Sequence, residues 1–285
     1  ETDFVAKNET FQEFVQTVAD TALASGLNGG ANGEDIDALL ATNGLSDLLV
    51  EKTATIGEKL SVRRFAKVTG DVVTSYIHGG GRIGVIIAAN GAADDAAKEA
   101  ITNIAMQVAA MNPQYISRND ISDEELAKLR EITVDSALND ATTLPKPILN
   151  KLIDKAINEK LWSDDDINNF NEHKNNMNYV WNFLSDAAKA KLGELAMADK
   201  ESIVAEKMFN GLVEGRVSKQ LKEICLLDQT YVKAEDGKQS VAKYLAEVAK
   251  ANGAFTVKGY VRFETGEGLE KKNEDFAAEV AAQLQ

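Results

Sequence analysis

The 285-residue sequence contains few of the residues on which several classes of protein depend: it has one cysteine, two histidines and three prolines. A single cysteine cannot close an internal disulfide. One thiol with two imidazoles also cannot supply the Cys/His ligand clusters of structural zinc sites. The sequence therefore excludes a disulfide scaffold and a zinc finger, and we expect a protein without a bound metal or cofactor.

Positive charge is also scarce. Lysine and arginine number 31 against 45 aspartates and glutamates, which gives a formal net charge of −14 and a sequence pI near 4.7. The overall field of such a chain does not attract phosphate backbones, although a local basic face is compatible with this charge. We predict no direct binding to nucleic acid.

Long hydrophobic runs are missing as well. The longest one, Val85–Ala89, is interrupted by Gly84 and Asn90 and falls far short of the ~20 apolar residues that a membrane span requires. No basic segment followed by an apolar one indicates secretion, and a lone cysteine fits a reducing compartment. We therefore expect a cytoplasmic protein without membrane contact. Because the chain opens on Glu1 rather than on methionine, we also expect the native N-terminus to lie upstream.

The remaining composition is that of an ordinary globular protein, 44% hydrophobic and 27% charged, and its length suggests roughly two domains of about 150 residues each. Apolar residues at spacings of three and four predict helices over 8–25, 35–42, 46–56, 94–111, 122–139, 148–161, 179–197, 200–222 and 240–251, and from 275 onward. Alternation at period two, or a short apolar run, predicts strands over 61–69, 71–78, 82–89, 224–233 and 254–264. This order predicts an α+β fold interrupted by a helical insertion.

Three polar residues stand where helix caps are expected. Asn8 precedes the first long helix, Ser122 with Glu125 forms a capping-box pattern, and Ser163 comes directly before three aspartates. The acidic run Asp164–Asp166 could in principle hold a cation, but it has no EF-hand spacing and is better explained as a helix start.

A search for catalytic groups leads first to the two histidines. His173 lies in an Asn- and Lys-rich stretch that is typical of a solvated surface, whereas His78 ends a predicted strand and precedes three glycines. At such a hairpin end the backbone can approach another surface closely, although a turn histidine without function fits the residues too. The glycines lack the ending of a phosphate loop and connect strand to strand, so they aim no helix terminus at an anion. Cys225 lies in an apolar run and is expected to be a core thiol.

Two phenylalanines stand beside aspartates at the beginnings of helices: Phe4 follows Asp3, and Phe276 follows Asp275. Such a phenylalanine usually packs within its own domain, but it can also enter a pocket of a partner while the neighbouring carboxylate contacts a polar group there. The residues alone leave both interpretations open.

Several motifs, taken in order, resemble those of the elongation factor Ts family. In the first part of the chain these are Thr2-Asp3-Phe4-Val5, Ile56-Gly57-Glu58-Lys59 with Val62-Arg63-Arg64, Ser75-Tyr76-Ile77-His78-Gly79 and Arg82-Ile83-Gly84-Val85. In the last part they are Val213-Glu214-Gly215-Arg216, Gly259-Tyr260-Val261-Arg262-Phe263-Glu264, Gly266-Glu267-Gly268 and Asp275-Phe276-Ala277-Ala278. They fall within about 1–116 and 203–285.

The resemblance implies a guanine-nucleotide exchange factor for elongation factor Tu, which makes and breaks no covalent bond and is therefore not an enzyme. It also implies that the segment made of Thr2, Asp3, Phe4 and Val5 enters the nucleotide-binding domain of the partner near its magnesium ion. Phe4 would act as a wedge there, and Asp3 would help to displace the groups that hold Mg²⁺. The alternative is an interaction module that keeps the fold but has lost exchange activity.

The resemblance implies two further contacts with elongation factor Tu. His78 and Gly79 would form the second contact, on the phosphate-binding side of the nucleotide. A C-terminal helical module that begins near Asp275 and includes Phe276 would pack on the nucleotide-binding domain.

The domain organisation that the resemblance implies consists of two small subdomains with antiparallel sheets and flanking helices. We assign 1–70 to an N-subdomain that lacks its first strands and 71–116 with 203–265 to a C-subdomain. A long, coiled-coil-like helical insertion would occupy 117–202, and a C-terminal helical module 266–285. We expect the insertion to be longer than in typical members of the family. Because this protrusion can mediate dimerisation in the family, a homodimer through it is one possibility.

Overall fold

The computed structural model describes residues 3–269, which divide into two compact units: 3–112 with 243–269, and Pro113–Ala242. The helices are α1 (Asp3–Ala6), α2 (Glu9–Ser25), α3 (Ile36–Leu40), α4 (Leu45–Ile56), α5 (Asp95–Met111), α6 (Asp123–Asn139), α7 (Lys146–Asn158), α8 (Asp164–His173), α9 (Asp186–Ala198), α10 (Lys200–Ala205), α11 (Lys207–Ile224) and α12 (Val241–Asn252). The strands are β1 (Gly29–Gly30), β2 (Phe65–Ala66), β3 (Val72–His78), β4 (Ile83–Gly91) and β5 (Phe255–Glu264). The predicted α+β class is confirmed.

The first part of the first unit is a small helical cluster with a two-stranded sheet. The Asn8 side chain accepts a hydrogen bond from the Phe11 N–H and so caps α2, which ends at Gly26 in the left-handed conformation. One apolar cluster joins α1, α2, α3 and α4 to the segment that leads into β2: Val5, Phe14, Ala22, Leu39, Leu45, Leu60 and Phe65.

The strand predicted over 61–69 is the first point at which the structure differs from the sequence interpretation. Only Phe65–Ala66 pairs, and its neighbour is the dipeptide Gly29–Gly30. Alternation alone does not make a strand, because each ladder needs a second chain segment to supply its hydrogen bonds. In the part of the chain that the structure describes, two glycines are the whole of the paired neighbour, so the pairing stops after two residues.

The second part of the first unit is a three-stranded antiparallel sheet in the order β3–β4–β5. The predicted hairpin is confirmed, with Val72 opposite Ala89 and His78 opposite Ile83. Helix α5 packs on one face of this sheet, because its small and branched residues Ala97, Ile101, Ile104 and Val108 are all fully buried. The hairpin therefore projects from a well-packed base.

The second unit is a bundle of short helices, α6 to α11, around one core. That core includes Leu138, Ile148, Ile153, Leu192 and Phe209, each at most 2% exposed. The Ser122–Glu125 capping box is present as predicted, and Ser163 caps α8. The Asn-rich stretch around 168–178, which shows no clear period, contains the second half of α8.

Residues 203–242 are grouped differently in the structure and in the sequence-based domain assignment. We assigned them to the second core subdomain, but they belong to the same compact unit as the predicted insertion. The physical reason is the apolar face of α11, whose residues Phe209, Val213, Val217 and Leu221 are buried in the same core as α6, α7 and α9.

The strand predicted over 224–233 is wrong. In its place a short 3₁₀ turn spans Leu226–Asp228, and only isolated bridges join Tyr115 to Cys225 and Thr230 to Ser240. The residues of this apolar run are hydrophobic because they are buried without pairing in a sheet: Cys225 and Leu226 are both 0% exposed. Among residues 3–269, no helix is both long and apolar enough to cross a bilayer.

Candidate partner-binding surface

Phe4 and Val5 form the first candidate contact, and their side chains have opposite environments. Val5 is 7% exposed and belongs to the apolar cluster of the first unit, whereas Phe4 is 89% exposed. The Asn8 N–H donates to the Val5 carbonyl at 2.9 Å, which fixes the turn between α1 and α2. The large apolar ring of Phe4 is thus held in solvent on a short helix that is anchored by its neighbour. Thr2 lies outside the described residues, and Asp3 is the first residue of α1.

His78 and Gly79 form the second candidate contact, at the tip of the β3–β4 hairpin. Gly79, Gly80 and Gly81 all have positive φ, so the chain reverses in a conformation that only glycine adopts without strain. The His78 side chain is exposed, and its Nδ1 lies 3.0 Å from the hydroxyl oxygen of Tyr76. The two rings are 5.9 Å apart at their centroids. At the hairpin tip, the His78 imidazole therefore contacts Tyr76 and is still exposed to solvent.

The structure agrees with the sequence interpretation of the three glycines at the hairpin tip and of the acidic run Asp164–Asp166, which begins α8. The glycines connect β3 to β4, without a helix behind them. Asp166 is buried, and its carboxylate accepts hydrogen bonds from the Ser163 hydroxyl at 2.6 Å and from the Ser185 N–H at 2.8 Å. This carboxylate thus links the starts of α8 and α9. In the described part of the chain, no cluster of three or more His, Cys, Asp or Glu residues is arranged to hold a metal ion.

The other two candidate side chains pack inside the second unit. Cys225 is fully buried, as expected of a core thiol, and burial raises the pKa of its thiol. His173 is only half-exposed: its ring meets the Phe183 ring edge-on at 3.6 Å between centroids, and its Nδ1 is buried without a hydrogen bond among the described residues. The imidazole of His173 is therefore partly buried within a stretch that the sequence assigns to the surface.

The sequence interpretation missed a groove on the first unit. This groove has a volume of about 260 Å³ and lies between α2, the segment that precedes β2, and the end of β5. It is lined mainly by apolar residues, together with one serine and two arginines: Phe11, Phe14, Val15, Val18, Leu60, Ser61, Val62, Arg63, Arg64 and Phe263. The signal in the sequence was the pair Arg63-Arg64 within an alternating apolar segment.

The predicted contact residues Asp275 and Phe276 lie outside the described residues.

Comparison with known proteins agrees with the motif order. The family model described as "Elongation factor TS" matches residues 1–171 and 184–267. The whole chain is 38% identical, over 292 aligned positions, to a protein named "Elongation factor Ts" from Clostridioides difficile (strain 630), and the alignment covers 73% of that protein.

The match also covers most of the predicted insertion. Within 117–202, only 172–183 falls outside the family model, and the greater length expected for the insertion stays a prediction. Most of the second unit is therefore a family feature. Since the family model covers most of the chain and the relative aligns with all of it, the chain belongs to the elongation factor Ts family.

Proposed function

We propose that this chain is a translation elongation factor that binds elongation factor Tu and promotes the release of its bound GDP. Membership of the elongation factor Ts family supports this role. The observation that carries the mechanism is the 89% exposure of Phe4 beside a buried Val5. An exposed aromatic ring on an anchored turn is typical of a residue that fills a pocket in a partner, because its burial on binding supplies most of the energy at little cost in entropy.

The Asp3-Phe4 pair acts as the wedge in this proposal. Phe4 enters the nucleotide-binding domain of elongation factor Tu and displaces the groups that hold Mg²⁺. The carboxylate of Asp3 adds negative charge near the phosphates of the ligand that is to be released, and this charge disfavours their binding. Val5 and the capped start of α2 keep the ring in place while the partner changes conformation.

His78 and Gly79 form the second contact in this proposal, on the phosphate-binding side of the nucleotide. Their place at an exposed glycine-rich tip supports the role, because a backbone without side chains can approach another surface closely. We further propose that the C-terminal module, with Asp275 and Phe276, packs on the nucleotide-binding domain.

The exchange reaction requires no catalytic side chain. GDP is held by Mg²⁺ and by backbone groups around its phosphates, so a factor that binds more tightly to a conformation lacking those contacts shifts the partner toward nucleotide release. The coupling is reciprocal, and fresh nucleotide therefore weakens the binding of the factor in turn. In this role the chain is not an enzyme, works in the cytoplasm and binds no nucleic acid directly. A homodimer through 117–202 remains part of the proposal.

The test is stopped-flow release of a fluorescent GDP analogue from elongation factor Tu. We expect the wild-type chain to accelerate release and Phe4→Ala to reduce that acceleration by about 30-fold, as for a central interface residue. Leu23→Ala is the matched control, because Leu23 is also an exposed apolar residue of the first unit, at 66%. It should leave the rate unchanged.

Two outcomes would contradict the proposal. If the wild-type chain binds elongation factor Tu but leaves GDP release unchanged, the chain is an interaction module that has lost exchange. If Phe4→Ala exchanges as fast as the wild type, exchange does not depend on the wedge.

A further inference from the structure

The turn that follows β5 is joined to a segment more than 200 residues earlier in the sequence. Arg63 donates from Nη2 to the carbonyl oxygen of Glu267 at 2.6 Å, and Arg64 donates from Nη2 to Oε2 of Glu267 at 3.2 Å. One glutamate thus accepts hydrogen bonds from two consecutive arginines, once through its backbone and once through its carboxylate. We call Arg63, Arg64 and Glu267 the arginine junction.

Packing supports these hydrogen bonds. The guanidinium carbon of Arg64 lies 4.4 Å from the centroid of the Phe263 ring on β5, within the range of a cation–π contact. The side chain of Arg64 is 16% exposed, so water screens this contact only in part. The turn beyond β5 lies close to Arg63, whose guanidinium nitrogen would be 3.8 Å from a Cβ at Gly268, a glycine with φ of 70°.

Each side of the arginine junction leads to one of the two proposed contacts. On one side, Arg63 and Arg64 line the apolar groove together with Phe11 and Phe14 of α2, the helix that follows Phe4 and Val5. On the other side, the Thr265 N–H donates to the Arg82 carbonyl at 2.8 Å, directly after the glycine turn at the hairpin tip.

We propose that the arginine junction is a positioning device that fixes the distance between the Phe4 turn and the His78 hairpin tip. This inference rests on the proposed exchange function, in which both contacts engage one partner. When two contacts share a rigid frame, the first to form places the second near its target, and the second then forms without a further loss of freedom. The three junction residues touch neither nucleotide nor Mg²⁺ in this proposal, so they act through Phe4 and His78.

The distance can be measured without elongation factor Tu. Spin labels are attached at Ala19→Cys on the exposed side of α2 and at Ser75→Cys on β3, while the buried Cys225 is protected from labelling. Pulsed electron–electron double resonance then gives the distribution of distances between the two spin labels. We expect a narrow distribution in the otherwise wild-type chain and a broad one in Arg63→Gln/Arg64→Gln.

Further variants distinguish the loss of the arginine junction from a general loss of positive charge. Lys59→Gln removes one exposed positive charge from the same segment and should leave the distribution narrow. Arg64→Lys keeps the charge and should broaden it less than the double variant does. If the double variant does not fold, Glu267→Gln removes only the carboxylate partner of Arg64 and is measured in its place. An unchanged distribution in the folded junction variant would overturn the proposal.

Exchange kinetics give a readout that a merely structural role would not change. In the wild-type background, Phe4→Ala and His78→Ala should be non-additive, because the contacts are coupled through one frame. In the junction variant the coupling should vanish, and the exchange rate should fall about tenfold, since misplacing a contact by about 1 Å can cost up to ~100-fold. Coupling that persists in the junction variant overturns the positioning role. If the wild-type chain does not accelerate exchange at all, the proposed function fails, while the distance measurement still tests the junction.

Discussion

Phe4 and Val5 are adjacent in sequence, but their surroundings in the fold give their side chains very different exposure. Both are apolar, yet one is 89% and the other 7% exposed. The difference arises because Val5 faces the cluster that contains Phe14 and Leu39, while Phe4 lies on the outer side of a single helical turn. An apolar ring that gains nothing from the fold is available for a partner.

The two substitutions should therefore separate stability from binding. We expect Val5→Ala to lower the free energy of unfolding by about 1–2 kcal/mol, because it removes buried methyl groups from a packed core. Phe4→Ala should change it by less than about 0.5 kcal/mol, since an exposed side chain loses few contacts. Urea denaturation followed by circular dichroism measures both. A Phe4→Ala protein as destabilised as Val5→Ala would show that the ring packs within its own chain.

Asp166 is the buried carboxylate on which two helix starts depend. Burial acts to raise the pKa of this carboxyl group, but hydrogen bonds from the Ser163 hydroxyl and from the Ser185 N–H and hydroxyl outweigh it, so that the pKa lies below its usual value. A carboxyl group with a lowered pKa stabilises the folded state when ionised. That stabilisation is complete above the unfolded pKa of about 3.9 and is lost as the pH falls through the lower, folded pKa.

Asp166→Asn should therefore be destabilising in a pH-dependent manner. At pH 7 we expect a loss of about 1–3 kcal/mol in the free energy of unfolding, the range for hydrogen bonds to a charged group. The difference from wild type should begin to shrink near pH 4, where the unfolded chain takes up a proton, and should be smallest below the lower pKa of the folded carboxyl group, where the wild-type side chain is also neutral. Asp165→Asn, in the same helical turn but exposed, is the matched control with a small, surface-type effect. A difference that does not vary with pH would contradict the role of the ionised carboxylate.

At the scale of elements, the end of β4 depends on one glycine. Gly91 has φ of 113° and pairs with Phe255 on β5. A Cβ added there would lie 2.3 Å from the Ala254 carbonyl oxygen and 2.9 Å from the Phe255 Cα. Both neighbours are backbone atoms, so neither can move aside without breaking the pairing between the strands.

Gly91→Ala should accordingly cost more than about 2 kcal/mol in unfolding free energy, because the backbone strain is joined by a steric clash. Gly26→Ala provides the comparison: its φ is 77°, but a Cβ there meets nothing within 4 Å. We expect about 1 kcal/mol for that control, from backbone strain alone. Thermal or urea denaturation of both variants measures the difference. Equal losses of unfolding free energy in the two variants would show that β5 shifts to make room for the added Cβ.

At the scale of the whole molecule, the second compact unit has an apolar core of its own. The second unit, Pro113–Ala242, buries residues of α6, α7, α9, α10 and α11 against one another, and serines 122, 163 and 185 of the same unit cap α6, α8 and α9. A segment with an apolar core of its own and local helix caps has the main features of an independently folding domain.

The isolated segment 113–242 should thus fold by itself. We expect a helical circular dichroism spectrum and one cooperative thermal transition. Leu192→Asp, at a position with 0% exposure, should abolish that transition because it buries an unpaired charge. A broad, non-cooperative transition in the unmutated segment would show that its fold depends on the rest of the chain.

Local signals in the sequence predicted the elements whose cause is local. The caps at Asn8, Ser122 and Ser163, and the hairpin around Gly79–Gly81, follow from side-chain hydrogen bonds and backbone preferences within a few residues. The strand expected over 61–69 and the strand expected over 224–233 depended on partners elsewhere in the chain. Alternating patterns and apolar runs indicate which residues are buried, but residues can be buried without pairing in a β-sheet.

The sequence by itself determined the absence of a disulfide framework, the acidic charge, the α+β class and, through the order of its motifs, the family. Only the tertiary structure decided that Phe4 is exposed while Val5 is buried, that α11 joins the core of the second unit, and that Arg63 and Arg64 meet Glu267. The reason is that composition and caps are properties of short segments. Exposure and long-range contacts are fixed only when segments about 200 residues apart compete for the same surface.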